Sequence, residues 1–490
     1  MREDHSTYYK AYMARDSRFD GLFFIGVTST GIYCRPICVA KTPKISNCRF
    51  FDSAEAAEKE LFRPCLRCRP ELAPGNAPVD GARRLAQIIV RRIEESLLDG
   101  NGNIETLAKH VNLSSRQIRR IIQKEFGVSP IELVQTRRLL LAKQLLTDTT
   151  LPVTHVAFAS GFSSLRRFNH VFRSRHGMPP THLRKRASIC SNEFMAPETS
   201  KLQLSFRPPF DWHGILRFLR LRALRGVEWV SQECYARTIR LEGHSGWVKV
   251  SHASHTNAVL LEFTHSLTPV LPALLGQIRQ VFDLNARPDV ISTHLRQDRL
   301  LERAVAANPG LRVPGAFDGF ELAVRAILGQ QVTVQAATTL ACRFAEAFGQ
   351  AVATPFDSLS RYSPEPQHIA EARVDELAKL GIIRARANSI LCLARTYVEG
   401  ELQLNAGVHP ETAIKQLVAL PGIGPWTAQY IAMRVMCWPD AFPKEDVAIR
   451  NRLGGVTPRQ AEEISQAWRP WRSYAVLHLW NHPYMQNNKG

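Results

Sequence analysis

Apolar residues change their spacing several times along the chain, and the changes mark out its elements. Leu133 to Leu146 carries apolar residues at helical period and predicts one long helix. A shorter pattern lies on each side of it. Ile104-Glu105-Thr106-Leu107-Ala108 runs through Val111-Asn112-Leu113-Ser114 into Arg116-Gln117-Ile118-Arg119-Arg120. Val153-Thr154-His155-Val156-Ala157 runs through Ser160-Gly161-Phe162-Ser163 into Leu165-Arg166-Arg167-Phe168. Each reads as helix, turn, helix, with Ser114 and Ser163 as N-caps. Gly127-Val128-Ser129-Pro130 and Gly177-Met178-Pro179-Pro180 repeat one ending. The period then shortens to two in Leu202-Gln203-Leu204, Trp247-Val248-Lys249-Val250 and Val259-Leu260-Leu261-Glu262-Phe263, which predict strands around a helix near 215–221. From Phe282-Asp283-Leu284 onward the pattern is helical. Late in the chain, Ile414, Leu417 and Val418 precede Leu420-Pro421-Gly422-Ile423-Gly424-Pro425-Trp426, and Ala428, Ile431, Ala432 and Val435 follow it. That is a helix, a tight turn and a second helix. Polar stretches at 76–80 and 190–201 read as linkers.

A chain of 490 residues exceeds what one core supports and suggests three or four domains. At 45% hydrophobic and 22% charged residues its composition is that of a soluble globular protein. No apolar run approaches the roughly 18–20 residues of a membrane span, and Met1-Arg2-Glu3-Asp4 opens no signal peptide. Ten cysteines scattered without a secretory signal favour a reducing, cytoplasmic setting. The net charge of +19 is uneven: residues 1–190 hold 31 Lys and Arg against 17 Asp and Glu, and residues 191–490 hold 32 against 27. A basic amino-terminal part suits a polyanion, most simply nucleic acid.

Four cysteines have metal-ligand spacing: Cys34 and Cys38, then twenty-six residues, then Cys65 and Cys68. Two close pairs of thiolates satisfy tetrahedral zinc, and so small a domain gains much of its stability from the metal. Cys48, between the pairs, reads as a core residue. In the hairpin, Gly422 and Gly424 allow positive φ and leave backbone N–H groups uncovered at a helix start, a small anion site suited to a DNA phosphate. Asp446 lies eighteen residues after Ala428, at the expected start of another helix, where the residues alone give it a plain N-cap role.

The words around these residues carry resemblances. Asp16-x-Arg18-Phe19-Asp20-Gly21, Thr28-Ser29-Thr30-Gly31-Ile32-Tyr33-Cys34-Arg35-Pro36 and Phe62-Arg63-Pro64-Cys65-x-Arg67-Cys68 resemble the sensor domain of the bacterial adaptive-response (Ada) family. The resemblance implies that Cys34 is both zinc ligand and nucleophile, taking a methyl group irreversibly from a methylated DNA phosphate beside Arg35. The doubled helix-turn-helix resembles the AraC-type DNA-binding domain and implies that Arg116, Arg119, Arg166 and Arg167, with Gln117, face the major groove. The tetrapeptide Pro-Cys-His-Arg of the family's second methyltransferase domain is absent from the chain. Instead, Arg312 to Glu321, Arg325 to Val334, the hairpin with Asp446, and Trp468-Arg469-Pro470-Trp471-Arg472-Ser473-Tyr474 to Trp480 resemble the helix-hairpin-helix 3-methyladenine glycosylases of the AlkA type.

That second resemblance implies a base pocket walled by Trp426, Tyr430 and Trp480, with Asp446 facing the sugar. It also puts Gln330 and Gln331 on the DNA, Gln331 standing where the family pattern has an apolar wedge. Strand-cutting relatives carry Lys where this chain has Trp426, so base removal without strand scission is expected. The expected organisation is multidomain. A small zinc-bound α+β domain (1–75) precedes an all-α tandem helix-turn-helix domain (81–187), an α+β subdomain (202–285) and an all-α helix-hairpin-helix glycosylase domain (286–490). Two functions fit it. One is a repair glycosylase fused to a methyl sensor and transcriptional activator. The other is a DNA-binding regulator whose glycosylase-like part is inactive. In either case the expected partners are double-stranded DNA and RNA polymerase, without a membrane.

Overall fold

The computed structural model describes residues 4–15, 23–51, 54–68, 70, 114–149, 151–188, 198–253, 256–405, 408 and 410–481. The expected linker at 76–80, the first helix of the first helix-turn-helix (104–113) and most of the linker at 190–201 lie outside them. The described residues up to 133 form one compact unit and those from 134 onward another.

In the first unit, helix α1 (Asp4–Met13) accompanies a four-stranded sheet: β1 (Phe24–Val27), β2 (Ile32–Cys34), β3 (Cys48–Phe51) and, after helix α2 (Ala54–Lys59), β4 (Arg63–Pro64). The strand order is β3-β1-β2-β4. Neighbours are antiparallel except β2 with β4, which run parallel with Ile32 opposite Arg63 and Tyr33 opposite Pro64. Phe23, Ile25 and Tyr12 are buried on one side, where Tyr8 stacks on Phe23 at 4.2 Å, while Tyr33, Ala57 and Phe62 form a second small cluster. So few large residues leave a thin core, which is where a metal contributes most. The same unit holds helix α3 (Ser115–Phe126), closed at its start by a capping box between Ser114 and Gln117 and at its end by Gly127 at φ 72°.

Helix α4 (Pro130–Asp148) leads into the second unit. There helices α5 (Val153–Ala159) and α6 (Leu165–His176) form a turned pair around buried Val156, Ala157, Phe162, Phe168 and Phe172. Gly177, at φ 68°, closes α6 as Gly127 closes α3, so the repeated ending is a repeated left-handed C-cap. The N-cap of α6 is Ser164, which accepts from the Arg167 amide at 3.2 Å; the expected Ser163 is one residue early.

A five-stranded antiparallel sheet follows, with order β5-β9-β8-β7-β6. Its strands are β5 (Thr199–Ser205), β6 (Glu228–Val230), β7 (Cys234–Leu241), β8 (His244–Ala253) and β9 (Ala258–Thr264). Three of them are the strands expected from alternation. The other two were hidden because β7 buries its charges: Arg237 pairs with Glu321 at 2.9 Å, and Thr238 donates to the Arg361 carbonyl at 2.6 Å. The edge strand β5 also meets the helical pair, since Gln144 of α4 donates to the Gln203 carbonyl at 2.7 Å. Helix α7 (Trp212–Arg220), N-capped by Asp211, lies between β5 and β6 in the chain.

The remaining helices pack around α8 (Gly319–Leu328), buried along its length and therefore apolar on nearly every side. Its two charged residues, Glu321 and Arg325, join Glu228 and Arg237 of the sheet in one ion network, with Arg325 bound to Glu228 at 3.1 Å and to Glu321 at 3.0 Å. Tyr235 and Ser363 hydroxyls donate to the same carboxylates. A network satisfied on every side fixes the register between sheet and helices. Residues 202–285 and 286–490 accordingly share one core. Against α8 pack α9 (Val334–Phe348), α10 (Arg384–Val398) and, preceded by its hairpin partner α11 (Pro410–Ala419), α12 (Pro425–Arg434); α13 (Val447–Arg452) and α14 (Arg472–Asn481) follow. No helix among the described residues is long and apolar enough to cross a membrane.

Candidate functional site

The zinc ligands meet because two parallel strands end together. Strand β2 finishes at Cys34, and β4 beside it leads into Cys65, whose amide donates to the Tyr33 carbonyl at 3.0 Å. A tight turn returns Cys38, its amide on the Arg35 carbonyl at 3.0 Å, and Cys68 receives the Arg35 amide on its sulfur at 3.4 Å. All four sulfurs are buried and lie within 4.8 Å of one another, Cys38 and Cys65 at 3.9 Å. Tetrahedral zinc with Zn–S bonds near 2.3 Å needs S···S edges of about 3.8 Å, so the cluster fits the ion. It does not fit disulfides, whose sulfurs stand about 2.05 Å apart. With protons alone the thiols conflict. Hydrogen bonds to Cys38 and then Cys68, with burial, push Cys34 far up, while bonds to Cys34 and then Cys68 pull Cys38 well down. A divalent cation holding four thiolates removes that conflict.

Exposure does not single out Cys34, whose burial matches that of the other three. Arg35, expected at the DNA surface, is buried beside the sulfurs and is not a free surface cation. Arg116 and Arg119 on α3 and Arg166 and Arg167 on α6 are exposed, as groove-facing residues must be. Gln117 is exposed as well, and its amide oxygen accepts from the Ser114 amide at 2.8 Å in the cap.

The second site is built on the hairpin α11–turn–α12. Gly422 takes φ 77°, and a Cβ there would fall 2.1 Å from Ser389 Oγ, so only glycine fits. Gly424 differs from expectation: it is the N-cap of α12, at φ −86°. Open space where its Cβ would stand leaves the helix start uncovered. Trp426 and Tyr430, one turn apart on α12, stack in parallel at 5.4 Å, and Trp480 of α14 comes within 6.3 Å of Tyr430.

Asp446 joins these parts. Its Oδ1 accepts from the Ile449 amide at 2.9 Å as N-cap of α13, its Oδ2 accepts from the Trp426 indole at 2.9 Å, and the Trp480 indole donates to Oδ1 at 3.4 Å. The N-cap role and the place in the pocket belong to one carboxylate. The loop before it is pinned by α14. Arg472 binds Asp440 through two nitrogens, at 2.8 and 3.2 Å, and Ser473 donates to the carbonyls of Trp438 and Ala441. Burial raises the Asp440 carboxyl against the pull of Arg472 and Arg469.

Sequence reasoning missed the other wall. Arg434, one turn beyond Tyr430, donates to its hydroxyl at 2.7 Å and to the Gly315 carbonyl at 3.1 Å. Arg222 lies 3.8 Å above the Phe218 ring, and Arg434 faces the same ring at 4.8 Å. Burial would raise the Tyr430 phenol, but the guanidiniums of Arg434, Arg222 and Arg325 outweigh it and hold it below the ordinary value. Phe218 and Arg222 stand four residues apart around α7, far from the hairpin in sequence, and no local motif marks them. Gln330, expected on DNA, donates its amide to the Gly422 carbonyl at 2.8 Å and to Thr427 Oγ1 at 3.0 Å, while Gln331 is exposed.

Four family models match the chain in order. They are the metal binding domain of Ada (residues 7–71), a helix-turn-helix domain (107–186), the AlkA N-terminal domain (201–318) and the HhH-GPD superfamily base excision DNA repair protein (324–473). A "Probable bifunctional transcriptional activator/DNA repair enzyme AlkA" of Mycobacterium tuberculosis is 37% identical over 99% of this chain and 98% of its own length. The chain belongs to this bifunctional Ada–AlkA family. Its zinc-binding and DNA-binding domains are those of the family. The "DNA-3-methyladenine glycosylase 2" of Escherichia coli is 37% identical over 56% of the chain and 95% of its own length. Among solved structures, the 3-methyladenine DNA-glycosylase from Archaeoglobus fulgidus shares the fold, with a TM-score of 0.50 at 22% identity over 56% of this chain and 96% of that one.

Proposed function

We propose that the chain is a DNA repair glycosylase that excises alkylated bases of the 3-methyladenine type, joined to a methyl sensor that activates transcription. The observation that carries the enzymatic reading is the Asp446 carboxylate, held by the indoles of Trp426 on the hairpin and Trp480 on α14. A duplex hides the glycosidic bond, so the damaged nucleotide leaves the stack at a cost of a few kcal/mol. Alkylation at a ring nitrogen makes the base cationic, and aromatic faces attract cations by about 0.5–2 kcal/mol. The same charge weakens the bond to the sugar. Asp446 then stabilises the positive charge growing on the sugar and positions water. The uncovered start of α12 at Gly422 and Gly424 takes a phosphate.

In the sensor, Cys34, Cys38, Cys65 and Cys68 hold zinc, which keeps thiols ionised at neutral pH. The Cys34 sulfur takes the methyl group of a methylphosphotriester. A C–S bond forms, and the C–O bond breaks with its electron pair left on the phosphate oxygen. The cluster loses one negative charge and repels the DNA backbone less, which favours promoter binding through Arg116, Arg119, Arg166 and Arg167 and recruitment of RNA polymerase. Both activities belong in the cytoplasm, with the DNA. Full-length protein incubated with alkylated duplex should release free 3-methyladenine. Tight DNA binding without base release would make the C-terminal part a docking module.

A further inference from the structure

Helices α4 and α5 form a fixed corner, because the Arg184 guanidinium donates to the carbonyls of Leu145 and Leu151, at 3.4 and 2.6 Å, and to that of Thr149. One arm of the corner meets the five-stranded sheet. Strand β5 pairs on one side only, with β9, and its open edge would otherwise offer bare carbonyls. Gln144 of α4 covers the one at Gln203. The other arm, α5, packs against the 3₁₀ helix His265–Val270, with backbones within 8 Å of each other.

Both packed surfaces bury a residue that their own cores do not need. On α5, Val153, Val156, Ala157 and Ser160 share the stripe that faces α6. Ala159 stands roughly a third of a turn from the middle of that stripe, yet it is fully buried. A 3₁₀ helix has about three residues per turn and so three rows of side chains. In His265–Val270, Leu267 and Val270 fill the core row, Ser266 and Pro269 are exposed, and His265 and Thr268 make the third row. Thr268 is buried all the same, and His265 Nε2 is paired with Ser200 Oγ of β5 at 3.0 Å. Buried side chains accordingly form one cluster from Leu139 and Phe172 of the helical pair to Leu202, Leu204 and Leu267 of the sheet subdomain.

We infer that the β5 edge and the 265–270 turn are a built interaction surface whose partner is the second helix-turn-helix of the same chain. Docking leaves Arg166 and Arg167 exposed. The helix that carries them and the pocket around Asp446 then belong to one body, so DNA held by α6 meets the pocket in one fixed orientation. The inference does not depend on base excision.

All eight tryptophans lie between Trp212 and Trp480, so tryptophan fluorescence reports the glycosylase part alone. Amide hydrogen exchange in α5 and α6 reports the helical pair. In urea the full-length protein should show one midpoint by both. Phe168→Ala removes the ring between Phe162 and Phe172 and should lower the tryptophan midpoint by about 1 M, whether it loosens the pair or unfolds it. Ala159→Lys puts a helix-favouring but charged side chain into the junction. It should split the transition in two, and Phe168→Ala added to it should no longer move the tryptophan midpoint. A tryptophan midpoint indifferent to Phe168→Ala in the wild-type background, or still lowered by it beside Ala159→Lys, overturns the inference.

Discussion

Asp446→Asn separates the two duties of one side chain. Asparagine caps a helix about as well as aspartate, so the bond to the Ile449 amide survives. Loss of the charge at the α13 N-terminus costs about 0.3–1 kcal/mol. One of the two indoles, at 2.9 and 3.4 Å, then faces an amide N–H₂ instead of an oxygen. The site is half-buried, so water compensates in part and the penalty stays near 1 kcal/mol. Folding should therefore weaken by roughly 1–2 kcal/mol in all. In the proposed mechanism the chemical step should suffer more, because the carboxylate faces positive charge that moves onto the sugar only as the glycosidic bond breaks. A preorganised group of this kind contributes about 3–4 kcal/mol, or roughly 10²–10³ in rate. Single-turnover release of 3-methyladenine from duplex DNA measures the second effect, and thermal unfolding with duplex binding measures the first. A variant with a release rate within tenfold of wild type would refute electrostatic stabilisation by Asp446.

Other expectations follow from the same geometry. Base release should leave an intact strand, and borohydride should trap no covalent adduct, because Trp426 offers no amine. Arg472→Met leaves the buried Asp440 with Arg469 alone and should cost about 3 kcal/mol or more in denaturant unfolding; a loss below about 1 kcal/mol would mean that the pair is dispensable. Burial pushes the Asp283 carboxyl up to about 6 despite its bond from Tyr474. The folded state then holds that proton more tightly than the unfolded one, so stability falls as pH rises from about 4 through about 6. Asp283→Asn should flatten the unfolding temperature across that window; an unchanged slope assigns it to other groups. Chelation of zinc, or Cys65→Ser or Cys68→Ser, should unfold the sensor as read by its circular dichroism, whereas a folded apo-domain would show the metal to be incidental.

The features legible in the sequence are those set by neighbours in the chain. Two cysteine pairs, a Gly-x-Gly turn and the spacing to Asp446 fix local geometry, and the structure brings each set together. The features that were not legible depend on partners distant in the chain. Arg237 and Thr238 look like surface residues of a loop until Glu321 and the Arg361 carbonyl are beside them. Arg222 and Phe218 enter the pocket from another subdomain. Arg35 carries the right chemistry for DNA, but it is buried beside the sulfurs.

The pinning of the Asp446 loop by Arg472 and Ser473 has a consequence for synthesis. The sensor and the helix-turn-helix helices precede α14 in the chain and leave the ribosome before it. Until α14 does, the loop from Trp438 to Asp446 lacks Arg472 on Asp440 and the Ser473 hydroxyl on its carbonyls, and Trp480 is missing beside Asp446. A nascent chain can therefore fold its zinc domain and hold DNA before it can break a glycosidic bond. Premature termination before α14 would yield a regulator with no repair activity.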